Sequence, residues 1–206
     1  ALPISGKESH GAEPYKARDP FIATAEILLG VQSIVSREIN TKESAVVSFG
    51  KIEGGTAANI IPKSIELEGT VRCTDENIRN YINNRIEEIA YHTAKAYRAD
   101  IDYNYIYGAP VLENNKDLVK EFIEVLRENM PENEYKILDR PTMIGEDFSY
   151  FLKEIPGFYY FFGSKRLIDG AYHAHHTEKF DINEENLYKV VYINIMFILK
   201  YLSLDN

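Results

Sequence analysis

Three of the chain's five histidines fall within four positions of the stretch GAYHAHHTEKFD, as His173, His175 and His176. Imidazole is the commonest protein metal ligand and the side chain that titrates nearest neutrality, so the cluster suits half of a metal site or an acid/base pair. By spacing alone, three histidines in a polar loop read equally as solvated side chains. A zinc site needs three or four ligands, so one imidazole cannot hold a metal tightly. The adjacent Glu146 and Asp147 of GEDFS could be paired carboxylates for acid/base work. With the three histidines they make one conceivable self-contained metal site. His10, in the polar loop SHGAEP, stands apart, and His92 falls inside a helical pattern, where a structural role is expected.

These side chains must be placed by elements that the periodicities reveal. LPIS reads as a short strand. Asp19 caps a helix with Pro20 at its first position, and Phe21, Ile22, Ala25, Leu28, Leu29 and Val31 mark its apolar face to about Arg37. SAVVSFGKIEG and SIELEGTVRC alternate as strands that can pair as a long hairpin, with GGTAAN as loop chemistry between them. Thr74 or Asp75 opens a second helix, with Ile78, Ile82, Ile86, Ile89, Ala90 and Ala94 at helical spacing to about Tyr97, and IDYNYIY alternates again. Residues 1–107 thus predict a βαββαβ order, the ferredoxin-like arrangement.

Gly108 and Pro110 mark a boundary to a second unit, residues 108–206. It predicts a helix over 116–129, a short strand EYKILD, a helical turn at FSYFLKE, an apolar strand GFYYFFG and a last helix from about Glu184 to Leu202. That helix is apolar on most faces and is expected to be largely buried against a sheet. Two short strands are too few for a useful sheet, so part of it is expected from outside this sequence. The chain starts at Ala, and its first residues read as strand interior, so the sequence is expected to begin inside a longer protein.

Composition bounds the function. A 45% hydrophobic content over 206 residues fills globular cores, and a formal net charge of −9 with no dense Lys/Arg cluster argues against a nucleic-acid partner. No apolar run approaches the roughly 20 residues that span a bilayer, and nothing near the start resembles a signal peptide. The single cysteine, Cys73, falls in a strand pattern as a buried inert thiol and fits a reducing compartment. A cytoplasmic protein without membrane partners is expected.

GKESHGAEP, GKIEGGTAANIIPKSIELEGTVR, IGEDFSYFLKEIPG and HTEKFDINEENL occur in that order. Together they resemble the M20 metallopeptidase and amidohydrolase family, especially its aminoacylase-like branch that cleaves N-acyl amino acids. The resemblance runs from about Gly6 to Leu202. It implies an α/β protein: a ferredoxin-like lid that forms a homodimer, followed by the C-terminal portion of a metallohydrolase catalytic domain. That domain would hold two divalent metal ions, usually zinc, with manganese or cobalt as alternatives. Its N-terminal part, with the catalytic glutamate and most ligands, has no counterpart in these motifs, so the chain alone is expected to be inactive and to hold no metal tightly.

By register with Phe180, His176 matches the family's last metal ligand, while His173 and His175 fall outside that register. His10 resembles the lid histidine that reaches into the partner's active site to stabilise the oxyanion. Tyr15 replaces the histidine usual after the motif proline. Asn59 and Arg72 resemble substrate-positioning lid residues, and the guanidinium fork suits a free carboxylate. Gly145 is expected near the substrate, with Glu146 and Asp147 in supporting or capping roles. The implied substrate is an N-acyl amino acid or small peptide. The alternative is a non-catalytic dimerisation or small-molecule-binding module.

Overall fold

The computed structural model describes residues 1–204. They form two compact units, the first made of 1–111 with 141–146 and the second of 112–140 with the residues from 147 onward. Among the described residues no helix is long and apolar enough to cross a membrane.

The first unit is built on β1 (Leu2–Ser5), β2 (Ser9–His10), α1 (Pro20–Ser33), β3 (Ala45–Gly54), β4 (Ile60–Ile61), β5 (Ser64–Cys73), α2 (Glu76–Ala96) and β6 (Asp100–Ile101). Its four-stranded sheet has the order β3-β5-β1-β6, with every neighbouring pair antiparallel. Leaving aside the small β2/β4 pair, this is the βαββαβ succession expected from the sequence. The β3/β5 hairpin runs from Ala45 opposite Cys73 to Gly54 opposite Ile65, with a register shift between Phe49 and Lys51. Gly69 is required in β5, because a Cβ there would lie 2.6 Å from the Ser48 carbonyl oxygen.

Both helices start where the sequence places their caps. The Asp19 carboxylate accepts from the Phe21 amide at 2.8 Å, and Asp75 accepts from Asn77 and Ile78 at 2.8 and 3.0 Å. The first helical stretch continues past α1 as a π-helical turn, Ile34–Glu38, closed by the Ile39 amide donating to the Ile34 carbonyl. This turn keeps Ile34 in the core and sets Glu38 against Arg85, whose Nε and Nη2 donate to its carboxylate at 2.8 and 3.0 Å, with the Tyr81 hydroxyl at 2.8 Å. Ile4, Ile27, Val31, Leu67, Ile82 and Ala90, each fully buried, fill the space between sheet and helices. Burying each of the larger side chains contributes about 1.5–3 kcal/mol.

IDYNYIY follows its expected strand as far as Asn104: β6 closes at Ile101, but the pairing with the β1 segment continues through the Asp102 amide, which donates to the Pro3 carbonyl at 3.0 Å, and through Ala1 and Asn104, which exchange backbone bonds at 2.8 and 3.0 Å. Side chains of α2 add to this fastening and carry it past Asn104. The Tyr103 hydroxyl donates to Asn83 Oδ1 at 2.7 Å, and buried Arg79 donates to the Gly108 and Ala109 carbonyls at 3.1 and 3.0 Å. The same guanidinium lies 4.7 Å from the Tyr107 ring centroid, a cation–π contact.

The second unit contains α3 (Lys116–Asn129), α4 (Phe151–Glu154), β7 (Leu167–Ile168), β8 (Ala171–Tyr172) and α5 (Leu187–Leu204). Asn115 caps α3 by accepting from Asp117 and Leu118, both at 3.1 Å. Phe122 and Val125 of α3 pack with Ile193 of α5, and the rings of Phe158, Tyr160 and Phe197 surround Phe122 at 4.8, 4.9 and 5.5 Å. Neither EYKILD nor GFYYFFG forms the expected strand. A strand needs a partner backbone. At Tyr159 the side-chain amide of Asn114 stands in for one, accepting from the Tyr159 amide and donating to its carbonyl at 2.8 Å each.

The last helix also corrects its expectation. It packs on α3 rather than on a sheet, and among its described side chains only Ile193 is buried, while Tyr188, Val191, Ile195, Ile198, Leu199 and Leu202 are about half or more exposed. The β7/β8 hairpin, absent from the sequence reading, turns through Asp169 and Gly170 at φ 53° and 77°, the two left-handed residues of a tight hairpin turn.

Candidate functional site

The predicted site residues fall into three groups. The first is His10 with Asn59. β2 and β4 pair so that His10 stands opposite Ile60, the neighbour of Asn59, and the Gly11 amide donates to the Asn59 carbonyl at 2.7 Å. Gly11 permits this approach, because a Cβ there would come 3.1 Å from that oxygen. The side chains of His10 and Asn59 are exposed. His10 Nδ1 accepts from the Ala12 amide at 3.1 Å.

The second group is Arg72 with Gly145. Arg72 is on β5 opposite Val46, with an exposed side chain. Gly145 belongs to the 141–146 segment of the same unit, so close to the guanidinium that a Cβ at 145 would lie 2.8 Å from Arg72 Nη1. A larger residue at 145 would displace the fork of donors. Arg72 lies eight residues along β5 from Ser64, which at about 3.3 Å per residue places about 26 Å of strand between them. His10 and Asn59 are fastened beyond the Ser64 end, since Ser5 pairs with Ser64 and β4 precedes β5. The first two groups therefore sit toward opposite ends of one long strand.

The third group is the histidine-rich loop after β8. His176 adopts φ 66°, a left-handed conformation that costs a non-glycine residue about 1–2 kcal/mol. The Thr177 hydroxyl donates to the Ala174 carbonyl at 2.8 Å, and the Phe180 amide donates to the Thr177 carbonyl at 3.1 Å, which tightens the turn around it. His175 packs on the Phe180 ring at 4.5 Å. His173 Nε2 is buried without a hydrogen-bond partner, a costly arrangement for a polar atom. Glu146 closes the 141–146 segment of the first unit, whereas Asp147 opens the 3-10 turn Asp147–Tyr150 of the second.

Among the described residues no three His, Cys, Asp or Glu side chains are arranged to hold a metal ion. The donors present do not by themselves fit a one- or two-metal centre, and His173, His175, His176, Glu146 and Asp147 do not assemble one. Burial pushes the Cys73 thiol above its usual range, which disfavours the thiolate that a nucleophile needs.

Two contributors are missing from the sequence-based expectations. The Ala12 amide matters through its backbone, so residue type carried no signal. Arg79 was masked by the many charges of α2, although a lone arginine on the helix's apolar side, three residues before Ile82, was a usable sign.

Comparison with known proteins completes the picture. The N-acetyl-L-cysteine deacetylase of Bacillus subtilis (strain 168) is 33% identical over 190 residues, covering 92% of this chain and 44% of the relative. The N-acetyldiaminopimelate deacetylase of Bacillus cytotoxicus is 35% identical over 179 residues, 86% of this chain and 46% of the relative. The chain thus spans less than half the length of either relative. Its fold resembles the crystal structure of a dinuclear metal binding peptidase from the M20 family of Bacillus subtilis, with a TM-score of 0.69 at 23% identity, covering 97% of this chain and 50% of that one. Residues 9–200 match the profile of peptidase family M20/M25/M40. Over nearly its whole length, then, the chain belongs to peptidase family M20/M25/M40.

Proposed function

We propose that this chain contributes the lid and the C-terminal part of the catalytic domain to a metal-dependent amidohydrolase that cleaves N-acyl amino acids. Membership of the M20 family and similarity to two deacetylases of N-acetylated amino acids support the substrate class. The two divalent ions, zinc with manganese or cobalt as alternatives, would be held largely by ligands outside these residues, to which His176 adds one.

This chain's own groups have separate tasks. The imidazole of His10 offers a donor to the amide oxygen as negative charge develops there, a task for which a preorganised group is best suited. Asn59, tied to the same turn, orients the acyl side. Arg72 holds the free α-carboxylate through its guanidinium fork, with Gly145 keeping the approach open.

The observation that carries this reading is the separation of His10 and Asn59 from Arg72 and Gly145 along β5. An N-acyl amino acid is far shorter than the strand between them. One site therefore takes His10 and Asn59 from one subunit and Arg72 from another. β3, a ten-residue strand at the sheet's edge, offers the unpaired backbone through which two lids could join as a homodimer.

The test combines the chain with a polypeptide carrying the rest of an M20 catalytic domain and supplies zinc or manganese. Acetate release from N-acetyl amino acids is expected from the assembly and not from the chain alone. The corresponding methyl esters, lacking the charge that Arg72 reads, should turn over at least tenfold more slowly. A metal-loaded assembly that hydrolyses none of them would overturn the assignment.

A further inference from the structure

We propose that the turn Gly11–Glu13 is a positioning element that fixes the tautomer of His10, so that His10 acts only as an Nε2–H donor and not as a base. The inference rests on the reading of His10 as the group that faces the amide oxygen, and it concerns how the chain makes that group ready.

A neutral imidazole has one protonated nitrogen and one lone-pair nitrogen, and their assignment follows from the hydrogen bonds they make. Here the Ala12 amide, which can only donate, points at His10 Nδ1 from 3.1 Å. Nδ1 must then carry the lone pair, and the proton resides on Nε2. The exposed end of the ring is a donor with no acceptor capacity while the ring is neutral.

The turn is closed from every side. The Glu13 amide donates back to the His10 carbonyl at 2.8 Å, and the Ser9 hydroxyl donates to the Glu13 carbonyl at 3.1 Å. The Gly11 amide is taken by Asn59 at 2.7 Å. All three successive amides of the turn are therefore committed, two of them to His10 itself and one to the backbone of the second substrate-facing residue. Lys16 and Tyr15 hold the Glu13 carboxylate on the outside of the turn at 2.7 and 3.3 Å. Tyr15 thus serves the outer wall of this turn.

A donor locked in this way needs no tautomer exchange or ring flip as charge builds on the substrate oxygen, which is the condition under which such donors act most strongly. The same bond excludes proton abstraction by His10 Nε2. Abstraction must be done by another group.

Nitrogen-15 spectra of the chain, recorded where its histidines are neutral, read the tautomer directly. His10 Nδ1 is expected at the lone-pair shift and Nε2 at the protonated shift, with a scalar coupling across the hydrogen bond from the Ala12 amide to Nδ1. Ala12→Pro removes the donor. Its two His10 nitrogen shifts should converge toward the averaged values of a free imidazole, while those of His92 stay in place and report that the fold is kept. If the proline variant does not fold, the wild-type shifts and coupling decide alone. A protonated Nδ1, averaged shifts in the wild-type chain, or an unchanged His10 in a folded Ala12→Pro variant would each overturn the proposal. No substrate is used, so failure here is separable from failure of the amidohydrolase reading, which hydrolysis assays test.

Discussion

If His10 and Arg72 serve one site from two subunits, two inactive variants should rescue each other. In the assembled enzyme, His10→Ala removes an oxyanion donor and should lower kcat by roughly 10²–10³. Arg72→Ala removes hydrogen bonds to a charged carboxylate, about 3 kcal/mol in total, and should lower kcat/KM by roughly 10². The 26 Å or so of strand between Ser64 and Arg72 makes it impossible for both residues of one lid to reach the same small substrate. Equal mixing with free exchange makes half of the dimers mixed, and each mixed dimer regains one competent site, so about a quarter of wild-type activity should return. The other site of that dimer carries both lesions and stays silent. Sedimentation of tagged subunits verifies dimerisation and exchange, and acetate release from an N-acetyl amino acid gives the activity. Recovery absent despite demonstrated mixed dimers would refute the two-subunit site, because a one-subunit site leaves every copy with a lesion.

Three further outcomes test the fold and the site. Leu67→Ala, at a fully buried position of the central strand β5, should destabilise the first unit by about 3 kcal/mol in urea unfolding, and a loss below about 1 kcal/mol would contradict the packing described. The Glu38 carboxyl is held below its ordinary range, chiefly by the hydrogen bond from Arg85 and then by that from Tyr81. Its contribution is therefore fully present above the unfolded glutamate value, near about 4.3, and is lost as pH falls through the lower folded value. Acid unfolding should then be less steep in Glu38→Gln than in the wild type, and parallel curves would count against it. The chain purified from zinc-supplemented cells should carry less than one tightly held equivalent by elemental analysis, since three ligands do not converge among the described residues. A stoichiometric metal that disappears in His176→Ala would reverse that conclusion.

Legibility in the sequence followed the range of the interaction concerned. Caps act within a few residues, and Asp19, Asp75 and Asn115 close helix N-termini where such residues precede apolar periodicity. The β3/β5 pairing was equally readable, because the alternation of Ile65 and Leu67 with Glu66 and Glu68 admits one buried face. The failures share a cause: strands were inferred from local pattern alone, while pairing is a property of two segments. GFYYFFG has the pattern but meets the Asn114 side chain and the Asn115 amide in place of a paired strand, and IDYNYIY keeps its ladder to Asn104 before Arg79, Asn80 and Asn83 hold the residues that follow. The Asp169-Gly170 hairpin did leave a signal, a dipeptide typical of tight hairpins, just before the histidine cluster. His10, Asn59, Arg72, Gly145 and His176 came from motif resemblance rather than periodicity. The distance between Asn59 and Arg72 was nonetheless implicit once SIELEGTVRC was read as one uninterrupted strand.

The burial of α5 was misjudged for a reason that bears on function. Its apolar residues occupy two faces, and α3 covers one of them, where Ile193 meets Phe122 and Val125 with Met196 and Phe197 alongside. Tyr188, Val191, Ile195, Ile198 and Leu202 recur at spacings of three and four on the other, forming an exposed row along the helix. An apolar row of this length is not the surface of a unit that meets only water. The first unit presents the opposite balance, since its sheet and two helices bury thirteen apolar residues in one core against three in the second. A unit with its own core can hold His10, Asn59 and Arg72 in fixed places, whereas His176 belongs to a unit in which, among the described residues, the outer face of α5 is left exposed. In the enzyme proposed above, the polypeptide that brings the remaining metal ligands would also cover α5, so that the metal centre and the packing of the second unit would be completed by the same association.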